Sequence, residues 1–506
     1  MRLRLATLGL ALTVLIIVQS VWIFCLTILQ LTFTMSVKLN EMVEDFSAKR
    51  ALLRIHPLVR ELPEDASALW LVKMPVECFA AVAYERRKHC PFLQPRGGFG
   101  LWDQQRELSL ALAKAGADFL PLTIDSHTRH NDYDRALMLL RQSEETGENL
   151  LNGYPLLAHG ATVTRSLYEG INIPVSLRHG TPDARLLVEV ALDSGITEIE
   201  GGGLCYCLPY SRAYPVDRAL LNWQYVDRLC AVLSTPERPI HRESFGPLTA
   251  TMVPPFMVVA VEILELLLAA EQGVSSYAIS FAQTGSLTQD LATARALRFC
   301  ASHYLECYDL KNISVRLVFH QWMGAFPHER VHADALIVQG AVTAALAQAD
   351  KVVVKTRTEA LGIPDPQSNA DAVGMSRYAM ELCQGGDIIG NGSEIAEEAE
   401  SIISAVDHLL GIVFECGGTA LWDSVARAVR SGLIDIPFSP HQENANRMWT
   451  LRDADRSIRI ADPGFVPLPQ TFLNRERAKL AGRCSDKSLD RMLDDIMLMV
   501  RQGGGK

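Results

Sequence analysis

The chain has 506 residues, 48% hydrophobic and 21% charged, which is enough apolar mass for a large core and unlike the composition of a disordered chain. Acidic residues outnumber basic ones, 58 to 48, and the net charge of -10 argues against a nucleic-acid groove, which needs a basic surface to hold phosphates. The 11 cysteines form no C-x-x-C pair, which argues against a disulfide framework or structural zinc and fits cytosolic thiols; Cys205 and Cys207 read as alternate residues of an extended segment.

In chain order, residues 1–34 are a hydrophobic leader: Arg2 and Arg4 precede an apolar run from Leu5 to Phe33, long enough for a bilayer span of roughly 20 residues. It is either a membrane anchor or a start placed upstream of Met35. The cytosolic composition of the remaining chain favours the second, and a cytoplasmic protein is expected. Residues 35–90 read as an N-terminal helical extension.

From Pro91 short apolar runs alternate with helical spacing. The runs are Phe92–Gln94, Ala117–Ile124, Ile173–Leu177, Ile196–Ile199, Tyr277–Phe281, Ile313–Phe319 and Lys351–Val354, with Leu150–Tyr154 and Leu248–Val253 as weaker candidates for one more. Alternating β and α units imply a parallel sheet. A closed TIM-type (β/α)8 barrel over residues 91–364 accommodates them most simply, with an open doubly wound sheet as the alternative. Gly97-Gly98-Phe99-Gly100 has Asp103 where a dinucleotide fingerprint wants its last glycine, and there is no Walker loop.

A helix is expected from Asp103 to Ala115, stopped by Gly116. Another follows Arg178-His179-Gly180, with Thr181 as N-cap, Pro182 in first position and Gly195 as its stop. Residues 365–506 read as a smaller C-terminal α+β region. It begins with a helix whose Ile395, Ala399, Ile402, Val406, Leu409 and Leu410 share one face.

Barrel enzymes place chemistry at the C-terminal strand ends. The residues there are Arg96, Asp125 to Arg129, Asn152, Arg178 with His179, Glu200, His320 with Gln321, and Lys355 with Glu359. Each guanidinium grips a carboxylate bidentately and keeps its charge, so Arg96, Arg129 and Arg178 together suit a small dicarboxylate. Glu200 would hold an ammonium, which makes the set a pocket for an acidic amino acid. Each of these also has a plainer reading: a lone loop arginine as surface charge, Glu200 as a neutralising partner, His320 as a core histidine, Lys355 as a surface lysine, and Tyr206, Tyr210 and Phe326 as wall residues.

The ordered strings Pro95-Arg96-Gly97-Gly98, Thr123-Ile124-Asp125-Ser126-His127-Thr128-Arg129, Leu151-Asn152-Gly153, Arg178-His179-Gly180-Thr181-Pro182-Asp183, Glu200-Gly201-Gly202-Gly203, Phe319-His320-Gln321-Trp322-Met323-Gly324, Lys355-Thr356 with Glu359 and Gly362-Ile363-Pro364, and Asp435-Ile436-Pro437-Phe438 resemble the catalytic epsilon chain of adenosylcobalamin-dependent glutamate mutase (methylaspartate mutase). The resemblance implies an isomerase that interconverts L-glutamate and L-threo-3-methylaspartate by radical rearrangement of the carbon skeleton. It also implies a homodimer of this chain within a heterotetramer containing a small cobalamin-binding (sigma) subunit, which supplies the cobalt ligand.

Carried over by position, Arg96, Arg129 and Arg178 grip the substrate carboxylates, and His179, Glu200, Tyr206 and Tyr210 complete the substrate site. Gly98, Asn152, Pro209, Phe326, Lys355, Glu359 and Ile363 line the adenosylcobalamin, with Lys355 and Glu359 one helical turn apart. The small subunit's Asp-x-His-x-x-Gly motif is imitated only in part by Asp125-Ser126-His127, so His127 is read as a decoy, no metal ligand is assigned here, and the chain is expected to need its partner. The 1–34 run is foreign to the family. Two other functions stand as alternatives: a barrel lyase with a Schiff base on Lys355, and a non-enzymatic acidic amino-acid binder.

Overall fold

A computed structural model describes residues 45–59, 63, 65–86, 91–358, 362–383, 392–418, 420–481 and 489–501. The run at 1–34 lies outside the described residues, and no helix among those described is long and apolar enough to cross a membrane.

Every apolar run from Phe92 to Val354 that the sequence marks clearly coincides with or overlaps a strand. These are β1 (Phe92–Gln94), β2 (Leu120–Thr123), β3 (Val175–Arg178), β4 (Glu198–Glu200), β6 (Ser276–Ala282), β7 (Ser314–His320) and β8 (Lys351–Val353), and the remaining strand, β5, is His241–Glu243. Neither weaker candidate is a strand. Tyr154 makes a single bridge to Ile124, and Leu248 and Ala250 take left-handed backbone with φ of 46° and 82°. β5 escapes pattern reading because it is His-Arg-Glu, whereas parallel strands usually read as apolar runs.

The 8-stranded sheet is parallel throughout, in the order β1-β8-β7-β6-β5-β4-β3-β2. The two end strands meet through Phe119 N–H to Leu93 O (3.3 Å) and Thr123 N–H to Gly97 O (3.1 Å), so the sheet closes on itself and the open-sheet alternative falls. Register brings the C-terminal ends level: Arg178 lies opposite Thr123, Glu200 opposite Glu243, and His320 opposite both Ala282 and Val353.

Helices surround the barrel. Trp102–Lys114 ends ahead of Gly116, whose φ of 84° favours glycine. The helix after β3 starts later than expected, at Arg185 with Ala184 as cap. Thr181 and Pro182 stay in the loop: the Thr181 hydroxyl caps no helix N–H, its own N–H goes to His179 Nδ1 (3.1 Å), and Asp183 holds the Arg185 side chain (2.7 Å). The helix Pro366–Leu382, beyond β8, packs on Trp102–Lys114 and β1. Ser393–Phe414 buries the anticipated face of Ile395, Ala399, Ile402, Val406, Leu409 and Leu410. Farther on, β9 (Trp449–Arg452) and β10 (Ile458–Asp462) pair antiparallel.

Where barrels usually pack layers of branched apolar residues, this one carries buried charge. Lys351 Nζ, fully buried, donates to Gln94 Oε1 (2.6 Å), Glu198 Oε1 (2.8 Å) and Glu243 Oε2 (2.5 Å), and Phe119 lies 5.0 Å from it. The N-terminal helix Ala80–Arg86 plugs the opposite end from the site: Tyr84 packs on Phe92, Phe119 and His241 and donates to Glu198 Oε1 (3.3 Å).

Removing one partner of a buried ion pair strands the other charge, at a cost of about 3–5 kcal/mol. Lys351→Met removes the buried cation of Glu198, which keeps only the hydrogen bond from the Tyr84 hydroxyl, and leaves Glu243 with Arg178 alone. We expect a loss of that size, read as a lower urea midpoint at unchanged m-value, whereas Lys311→Met, whose ammonium is exposed, leaves the midpoint in place.

Candidate active site at the C-terminal mouth

Arg178 closes β3 and is buried. Its guanidinium contacts Glu200 and faces Glu243 Oε1 at 3.5 Å. Burial alone would weaken its hold on the proton, but the two carboxylates outweigh burial and keep it charged above its ordinary value. Glu200, at the end of β4, also accepts the Tyr206 hydroxyl. Burial pushes its carboxyl up to about 7, with Glu243 adding to the rise and Arg178 and Tyr206 opposing it.

The loop between Glu200 and Tyr206 is fixed from below. The Glu265 carboxylate accepts Leu204 N–H (2.7 Å), Cys205 N–H (2.9 Å) and Gly203 N–H (3.3 Å). A Cβ on Gly202 would come within 2.4 Å of that carboxylate, so only glycine lets the loop approach it.

Arg129 rides on the one-turn helix Ser126–Arg129, capped by the Asp125 carboxylate through His127 N–H (2.8 Å) and Thr128 N–H (3.0 Å). Its Nε donates to Ile124 O (2.6 Å), which anchors the root of the guanidinium. Arg96 follows β1, half-buried, with Nη1 3.6 Å from Met323 Sδ. Burial pushes the Tyr210 hydroxyl up to about 12; the charges of Arg96, Arg129 and Arg178 all pull it down, and Glu200 raises it. Tyr210 is 41% exposed, and its ring meets Tyr206 (centroids 5.7 Å) and Phe245 (5.6 Å).

His179 stacks on Trp223 (centroids 5.7 Å, planes 10° apart) and meets Tyr206 edge-on (4.8 Å). Because Nδ1 accepts the Thr181 N–H, Nε2 carries the proton, and that buried Nε2 has no hydrogen-bond partner. Burial and then Arg129 hold the ring neutral, well below its usual value.

The residues assigned to the cofactor gather at the same end of the barrel. Gly98 passes so close to β2 that a Cβ would sit 2.3 Å from Thr123 O. Asn152 is exposed at the rim, its Oδ1 accepting Ser126 N–H (2.9 Å), and Pro209 adjoins Tyr210 in Cys207–Tyr210. Lys355 is buried with Nζ 6.0 Å from the Phe326 ring, and Ile363 is half-buried after β8. Glu359 lies outside the described residues. The helical turn expected between Lys355 and Glu359 therefore runs outside the described residues; residues 354–356 carry no regular structure, residues 357–358 form a turn, and Gln321 Oε1 accepts the Lys355 N–H (2.9 Å). His127 is half-buried with Nδ1 3.9 Å from Asp132 Oδ2. No group of three or more His, Cys, Asp or Glu among the described residues could hold a metal ion.

Sequence reasoning missed Glu243, Lys351 and Glu198, which set the charge of Arg178 and Glu200 from inside the barrel. The one signal was a charged triplet, His241-Arg242-Glu243, lying between two helices where a strand was due.

A closed β/α barrel with a charged cleft at its C-terminal mouth defines a TIM-barrel enzyme. Residues 77–503 match the family described as methylaspartate mutase E chain. The glutamate mutase epsilon subunit of Treponema denticola is 38% identical over 443 residues, 87% of this chain and 91% of that one. Its counterpart in Yersinia enterocolitica is 39% identical over 409 residues (80% and 84%), and that in Haloarcula marismortui 38% over 425 residues (82% and 86%). The chain belongs to the methylaspartate mutase E chain family, a family of isomerases.

Tyr206 favours the charged form of Glu200, so Tyr206→Phe moves the carboxyl titration upward from about 7. Infrared difference spectroscopy with pH, using Glu200→Gln to assign the band, measures the midpoint in both proteins.

Proposed function

We propose that this chain is the substrate-holding catalytic subunit of an adenosylcobalamin-dependent mutase interconverting L-glutamate and L-threo-3-methylaspartate, working with a small cobalamin-binding subunit. The observation that supports the reading is that Arg96, Arg129 and Arg178 stand just past or at the C-terminal ends of β1, β2 and β3, with the buried Glu200 at the end of β4 in contact with Arg178. A guanidinium grips a carboxylate through two parallel hydrogen bonds, and three of them at one barrel mouth suit a ligand with two carboxylates. An amino diacid provides both, and its ammonium is met by Glu200.

Arg178 is fixed most rigidly and would hold one carboxylate as an immobile reference, while Arg96 and Arg129, both half-buried, would close on the other. The His179 Nε2–H, without a protein partner, is a ready donor to a substrate oxygen. At pH above about 7 Glu200 is the anion an ammonium wants. Below it the neutral carboxyl predominates, and the site must lose a proton to take up substrate.

The residues present fit adenosylcobalamin. Gly98, Asn152, Pro209 and Ile363 would line it, Gly98 standing where the chain passes too close to the Thr123 backbone for any side chain. Lys355 and Phe326 would flank the adenosyl group. Adenosylcobalamin supplies, when bound, the homolytic chemistry that starts a radical rearrangement. This chain's part is to fix both ends of the substrate so that one hydrogen faces the cofactor, and to exclude water around it. The lyase and binder alternatives gain no support from the family.

Mixing the purified chain with a cognate small subunit and adenosylcobalamin should convert glutamate to 3-methylaspartate. Turnover by the chain and cofactor alone would refute the requirement for a partner. Arg178→Lys and Arg129→Lys each lose a bidentate grip worth about 2–5 kcal/mol, so kcat/KM should fall roughly 30- to 5,000-fold. In the wild type kcat/KM should fall about tenfold per pH unit below 7, a dependence that Glu200→Gln removes.

A further inference from the structure

His320 closes β7 at the level of Arg178 and Glu200, is fully buried, and has no hydrogen-bond partner on either ring nitrogen. Buried polar groups are almost always satisfied, so a histidine orphaned at both positions needs an explanation. His179 shows the same signature at Nε2. The surroundings of His320 are those of the cleft: Glu243 Oε1 lies 3.7 Å from Nε2, the Phe245 ring packs edge-on at 5.5 Å, and Arg178, Arg96, Lys351 and Lys355 are its charged neighbours. Burial and those cations keep the ring neutral, well below its ordinary value.

A neutral imidazole carries one proton. Facing a carboxylate oxygen, that proton belongs on Nε2, which leaves Nδ1 as a lone-pair acceptor. Acceptors are scarce in this cleft. The arginines only donate, and His179 Nδ1 is taken by Thr181 N–H. Glu200 already holds Tyr206 and Arg178, and Glu243 holds Lys351 and faces Arg178. A substrate ammonium brings three N–H bonds to satisfy.

Given the substrate reading above, on which this rests, we propose that His320 is a substrate-binding residue whose Nδ1 accepts a hydrogen bond from the amino group of the bound amino diacid. With Glu200 it then distinguishes an amino diacid from a plain diacid of the same length.

The test uses the assembled enzyme with its partner and adenosylcobalamin, comparing KM for glutamate with the inhibition constant of glutarate, which lacks the ammonium. An asparagine amide occupies the place of Nδ1 and a glutamine amide that of Nε2. His320→Gln should raise the glutamate KM roughly tenfold with glutarate inhibition unchanged, and His320→Asn should recover most of the loss. Equal weakening of glutamate and glutarate, equal loss in both variants, or an unchanged glutamate KM overturns the proposal. Absence of wild-type turnover would instead defeat the mutase reading. In that event calorimetric binding of glutamate and glutarate to wild type and both variants decides the same contact directly, and a variant that fails to fold is replaced by the other in either assay.

Discussion

One buried ammonium organises the interior. Lys351 bridges Glu198 and Glu243, and from these two carboxylates a continuous polar chain runs in both directions: through Glu198 to Tyr84 at the floor, and through Glu243 to Arg178, Glu200 and Tyr206 at the mouth. Charges taken out of water are tolerated only when paired and hydrogen-bonded, so each member's place depends on the next. A barrel filled with valine and isoleucine would be easier to stabilise, but nothing in it would hold a guanidinium rigidly beneath the mouth.

The same chain explains the unequal electrostatics of the site. Arg178 stays charged because two carboxylates face it, while Glu200 is driven toward neutrality because it shares that one cation with Glu243 in a buried place. The result is a fixed positive anchor next to an anion that forms fully only near neutral pH or when a cation arrives. Histidines 179 and 320 stay neutral for the complementary reason, burial among arginines and lysines, and so act as directional hydrogen-bonding groups rather than charges.

The regions outside the barrel serve its two ends. The helix Ala80–Arg86 seals the floor with Tyr84 against Phe92 and Phe119. At the mouth the C-terminal region reaches the loops after β4 and β5: Ser439 Oγ donates to Leu208 O (2.7 Å), and Thr249 Oγ1 donates to Pro437 O (2.7 Å). The reaching segment is itself held by Asp435, whose carboxylate accepts Asn446, Arg447 and Met448 N–H groups (2.8, 2.7 and 2.9 Å). The Asp435-Ile436-Pro437-Phe438 string is thus a brace for the rim that carries Pro209 and Tyr210.

The sequence by itself determined the parallel β/α alternation and the strand ends at which Arg96, Arg178, Glu200, His320 and Lys355 stand. Apolar runs flanked by caps and glycines are local signals, and strand ends follow from them. It determined the family as well, through strings whose order along the chain is specific. Only the tertiary structure decided that the sheet closes, that His241–Glu243 is the remaining strand, and that Glu243 and Lys351 govern Arg178. A charged triplet becomes a buried strand only when countercharges from strands far along the chain surround it, and no local pattern records that pairing. The start of the helix after β3 was decided in the same way: Thr181 was free by sequence to cap it, but in the folded chain its buried hydroxyl meets no helix N–H, its own N–H orients His179, and the helix starts at Arg185.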